Sequence, residues 1–189
     1  MSGTVRNYVW LVVLALVCIA GLLGLRFAPS ALRLGRTGVI VRRPDRAARV
    51  KAGDRNLANI APLATVTVSS EDTSSGQTGQ GVADGRPDGS EWSSAGEGAG
   101  AWITLSWDRP ATVSEIDLYD RRNPLDNVLS GTLTFDDGSA IVVHALPASG
   151  TPERVIFTPK TIRSVTFRID QVQGRNAGLD EIMVLGTLN

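Results

Sequence analysis

From Thr65 onward the apolar residues recur at every second position in short runs, and this period constrains the fold more than any other feature of the chain. Ile103, Leu105 and Trp107 alternate with Thr104 and Ser106. Ile116 and Leu118, Leu133 and Phe135, Ile141 and Val143, and Val165, Phe167 and Ile169 repeat the pattern. Successive side chains of an extended strand point to opposite faces, so each run predicts a strand with one buried face. Between the runs lie DRPA (108–111), DDGS (136–139), LPASGTPE (146–153) and QGRNAG (173–178), whose Gly, Asn, Asp and Pro predict chain reversals. No stretch after residue 56 keeps a helical stripe for three turns. Strands in close succession without helices between them predict an all-β sandwich or barrel rather than βαβ units. The roughly 130 residues of this region suffice for a two-sheet core.

The preceding residues are of another kind. Residues 1–55 carry ten Lys/Arg against two Asp, and residues 56–189 carry nine against seventeen Asp/Glu, so a net charge of zero conceals +8 followed by −8. YVWLVVLALVCIAGLLGL, residues 8–25, holds no charge. As a helix it would be about 27 Å long, near the roughly 30 Å of a bilayer core. We read it as a transmembrane helix after a short tail (1–7), with Tyr8 and Trp10 suited to the interface. A cleaved signal peptide is the alternative, although its apolar stretch is usually about 7–15 residues. Residues 26–55 read as a basic linker that can touch anionic headgroups, and 56–189 as the folded domain. Apart from Phe27 at its start the linker has no aromatic residue among its arginines, and nucleic acid is not the partner we assign it. The arginines after residue 25 favour a cytoplasmic domain by the positive-inside tendency, whereas a surface-presented module implies an extracytoplasmic one. Cys18 has no second cysteine to pair with.

Few residues suit catalysis. His144 alternates with the apolar positions of its strand, and nucleophile elbows, phosphate-binding Gly-rich loops and Cys/His clusters are absent from the sequence. We therefore read the domain as non-enzymatic. Two polar stretches remain. In ADGRPDGSEW, Asp84, Asp88 and Ser90 offer the oxygens a hard cation such as calcium prefers; a solvated Asp-Gly turn accounts for the same residues. In LYDRRNPLDN (118–127), Asp120 follows Ile116 and Leu118 on the buried face, at the strand end. Arg121, Arg122, Asn123 and Asp126 then project from a loop held by two strands, where they can donate to and accept from vicinal hydroxyls, with Tyr119 as an aromatic face. An Asp120–Arg121 salt bridge that pins the loop is the competing reading. Trp107 shares the face of Ile103 and Leu105 and belongs to the core, while Trp102 takes the more polar face of the same strand.

Five segments in order resemble the discoidin-like superfamily: NIAPLATVTVSS (59–70), GVADG and EWSS (within 81–94), GAWITLSW (100–107), SGTLTFDDGS (130–139) and GLDEIMVLG (178–186). The superfamily consists of galactose-binding-like jelly-roll β-sandwiches and includes coagulation-factor type C domains and family 32 carbohydrate-binding modules. The likeness covers about residues 57–187 and is nearest to a bacterial and fungal branch, found beside carbohydrate-active enzymes, in which LYDRRN…D recurs. It implies a jelly roll, a buried Trp92, and a non-catalytic module that binds glycan. In family 32 modules the Asp-Gly loop shares a structural calcium with a Glu of the closing strand, and the matching positions are Asp84 and Glu181, with Ser90 in place of a Thr. Related sandwiches bind protein or lipid, which is the alternative function.

Overall fold

The computed structural model describes residues 57–87 and 90–189, so the expected span, the basic linker and Asp88 lie outside the described residues. Among the described residues nine strands form, in chain order: β1 (Ala58–Asn59), β2 (Thr65–Val68), β3 (Trp92–Ser93), β4 (Trp102–Tyr119), β5 (Val128–Phe135), β6 (Ala140–Val143), β7 (Glu153–Val172), β8 (Gly178–Leu179) and β9 (Glu181–Leu188). The only helical elements among the described residues are two 3-10 turns, Ala61–Leu63 and Gly79–Ala83. None is long and apolar enough to cross a membrane.

The main sheet has the order β1-β9-β4-β7-β5-β6, with β2 also on β4, and every pair is antiparallel. Its two long strands serve both halves of the domain. Trp102–Ser106 of β4 pairs with Ser164–Arg168 of β7 and with β2; beyond a register shift, Ala111–Leu118 pairs with the first part of β7, and β9 takes the place of β2. DRPA is therefore not a chain reversal but a bend inside one strand. Pro110 and Pro159 lie where the β4–β7 ladder skips residues, so their missing N–H groups leave no ladder partner unsatisfied.

The alternating residues meet inside. Ile103, Leu105, Leu133 and Phe167 from one half join Val113, Ile116, Leu118, Ile182 and Val184 from the other in one buried cluster. Each is fully buried. The two core tryptophans also have partners for their N–H groups: Trp92 donates to the Ser70 carbonyl at 2.8 Å and Trp107 to the Ile60 carbonyl at 2.9 Å. A two-stranded ribbon, β3–β8, closes one end. Only glycine fits at its centre, because a Cβ on Gly178 would stand 2.0 Å from the Trp92 carbonyl oxygen.

Candidate functional site

At that end three segments come together: the stretch around Gln77–Glu97, the loop from β4 to β5, and the loop from β7 to β8. The charged tract 118–127 is the tie among them. Leu118 is buried as its place in the alternation requires, and Asp120, two residues on, is buried with it. Its carboxylate accepts from the Arg121 backbone N–H at 3.0 Å, from the Val128 N–H, and from Asn127 Nδ2 at 3.3 Å. Burial pushes this carboxyl up to about 6, against the lowering effect of those donors.

Arg121 is 4 % exposed and points the other way. Its guanidinium donates to the Asn176 carbonyl at 2.9 Å, to Gln77 Oε1 at 3.2 Å and to Glu91 Oε1 at 2.9 Å. Gln77 Nε2 donates to the same Glu91 oxygen. The Asp120–Arg121 side-chain salt bridge does not form. Just past the end of β4, Arg121 reaches Glu91 beside the ribbon instead. The remaining polar groups are used in the same manner. Asn123 Nδ2 donates to Asp126 Oδ2 at 3.0 Å, and Asn123 Oδ1 accepts from the Leu125 N–H at 2.9 Å. Asp126 Oδ1 accepts from the N–H groups of Arg175 and Asn176 at 2.9 and 3.3 Å. Asp120 and Arg121 are thus buried and held by internal hydrogen bonds, and Asn123 and Asp126 stitch two loops together.

Tyr119 and Arg122 are placed differently. Tyr119 is half-buried on the outer face of β4, its hydroxyl 3.9 Å from Met183 Sδ, with burial raising its pKa first and the Asp117 carboxylate next. Arg122 is exposed and lies across the turn at Gly150, where an added Cβ would be 3.0 Å from its Nε. Beside Tyr119, Arg154 Nε bridges Glu115 Oε1 at 3.1 Å and Asp117 Oδ1 at 3.4 Å, and burial raises both carboxyls. This acid pair lies on β4 and is bridged by Arg154 from β7.

Asp84 and Glu181 do come together. Glu181, at the start of β9, is fully buried and accepts from the Gly85 N–H at 3.3 Å and the Arg86 N–H at 3.2 Å. Its carboxyl is pushed up to about 8, mainly by burial, with a further push from the neighbouring Asp84 carboxyl. A buried carboxylate beside a second carboxylate, with no cationic side-chain partner among the described residues, has the charge and ligand type that suit a hard cation. The two are an incomplete set, since calcium takes about six to eight oxygens and no group of three His, Cys, Asp or Glu gathers among the described residues. Ser90 is exposed and packs on Gly81, whose added Cβ would meet Ser90 Cβ at 2.5 Å.

One surface escaped the reading of motifs. On the outer side of β4, β7 and β5, Trp102, Thr104, Thr134, Thr166 and Arg168 line an open depression of about 570 Å³. The alternation in GAWITLSW assigns Trp102 to this side, but the cross-strand register that gathers its neighbours is not readable from one strand.

These features define a discoidin-like β-sandwich, and solved structures share it. A Clostridium perfringens family 32 carbohydrate-binding module, in complex with GalNAc-β-1,3-galactose, matches with a TM-score of 0.58 at 17% identity over 67% of this chain and 99% of that one. The family 32 module of NanJ from C. perfringens, in complex with galactose, matches with a TM-score of 0.57 at 17% identity over 68% and 98%. A fucolectin from striped bass (Morone saxatilis) serum matches with a TM-score of 0.58 at 20% identity over 70% and 50%. Within that fold, the chain belongs to the family described as Domain of unknown function (DUF7402), whose model matches residues 59–185. No curated protein matches the chain.

Proposed function

We propose that the protein is a non-catalytic carbohydrate-binding module, held to a membrane by residues 8–25 through the basic linker 26–55, with the folded domain 56–189 outside the cytoplasm. The observation that carries this reading is the extent of the structural likeness. The domain is matched over nearly the whole length of modules solved with galactose-containing sugars, so little of it is left to form a separate catalytic unit. Fold alone does not fix function. The local chemistry supports the same reading: the Glu115/Asp117 pair is closed by Arg154, and the polar loop at the ribbon end is spent on internal hydrogen bonds.

Asp84 and Glu181 would hold a structural calcium ion, which supplies the positive charge that their juxtaposition lacks. Ser90, and Asp88 outside the described residues, complete the proposed set of oxygen donors. A glycan array probed with the full-length chain in a non-glycosidic detergent tests the function. Saturable, glycan-selective binding is the expected result. Binding to lipid or protein partners with no glycan retained would replace this reading with an adhesion or assembly role.

A further inference from the structure

The loop end offers a poor grip, yet the outer face of the β2-β4-β7-β5 half is built like one. Thr67, Thr104, Thr166 and Thr134 are successive register partners on four neighbouring strands. At about 4.8 Å per strand they set a row of hydroxyls about 14 Å long. Thr104 and Thr166 share a hydrogen bond of 2.7 Å. Alongside runs a second row, Trp102, Arg168 and Thr132. Arg168 Nη2 binds Asp170 Oδ1 at 2.8 Å, and Thr132 Oγ1 donates to Asp170 Oδ2 at 2.5 Å.

β-Propensity accounts for threonine and tryptophan on an exposed sheet; what it does not supply is the Arg168–Asp170–Thr132 set of paired polar groups beside them. Trp92 and Trp107 are buried with their N–H groups bonded to carbonyls; the Trp102 indole N–H has no protein acceptor among the described residues, and its side chain lines the depression. Its volume of about 570 Å³ lies within the usual range of about 300–1,000 Å³ for ligand sites.

We propose that this sheet face, rather than the loop end, is the glycan-binding site, and that it takes a neutral saccharide chain laid across the strands. The assignment rests on the carbohydrate-binding reading above. A sugar ring stacks on Trp102, while Arg168, Asp170 and the threonine hydroxyls donate to and accept from its hydroxyl groups. Charge selects the neutral class. Arg168 is balanced by Asp170, so the face has no surplus cation for a uronate, and the acidic domain as a whole repels polyanions.

The test is affinity electrophoresis of the full-length chain, in non-glycosidic detergent, through gels cast with galactan, mannan or β-glucan, and with alginate and chitosan for comparison. Retardation by at least one neutral polysaccharide is expected. Trp102→Ala and, as a substitution on an exposed position that spares the core, Thr134→Lys should each weaken it by about tenfold or more. Arg122→Ala and Leu125→Ala at the loop end should leave it within about twofold. Binding that survives both face variants, or that the loop-end variants abolish, overturns the site and leaves the carbohydrate reading standing. Retention by alginate or chitosan alone overturns the neutral class. A wild-type chain that no polysaccharide retards overturns the carbohydrate reading itself.

Discussion

A carboxylate with no surface at all anchors the charged tract that looked most like a binding site. Asp120 inherits its burial from the period that buries Ile116 and Leu118, so its place inside was legible from spacing alone. Its partners were not. Val128 and Asn127 approach only when the loop closes, and Glu91, which receives Arg121, is thirty residues away in sequence. Asp120→Ala would orphan several buried N–H donors and should cost about 2–4 kcal/mol in denaturant unfolding. Burial also makes the site sensitive to pH. The folded carboxyl titrates at about 6 against an ordinary value of 3.8, so the native state holds a proton that the unfolded chain has released. This contribution is complete below about pH 4 and is lost as the pH rises through 6. Asp120→Asn should flatten the fall in stability between pH 4 and 6, as measured by urea midpoints. An undiminished fall would place its origin elsewhere.

Among the elements, period-two runs announced the strands, but DRPA, expected to reverse the chain, lies inside β4 for a physical reason. β4 and β7 run through Pro110 and Pro159 because both prolines lie where the ladder skips, and a strand can bend there without losing a hydrogen bond. The meeting of the Asp84 loop with β9 could not be read from spacing, since it depends on Glu181 being carried across the ribbon end; the family likeness supplied it. If that junction holds calcium, a chelator should lower the melting temperature of the full-length chain, and Glu181→Gln should remove the response. An unchanged melting temperature would leave Asp84 and Glu181 as a bare acid pair, stabilised by protonation of the buried partner.

For the molecule as a whole, the proposed membrane anchoring gives the basic residues 26–55 a role in contacting anionic headgroups, at about 1 kcal/mol per Lys/Arg near the surface. If the domain lies outside the cytoplasm, as proposed, protease added to intact cells should remove it; full protection would favour the cytoplasmic arrangement suggested by the flanking arginines. The fold was legible because alternation is a local property repeated in every strand. The sheet-face depression was not, because it is made by register between strands far apart in the chain. The most direct measurement is a calorimetric titration of the full-length chain with the neutral oligosaccharide that the glycan array selects. The account predicts saturable heat with one site per chain; no saturable heat, with binding to lipid vesicles or a protein partner in its place, would contradict it.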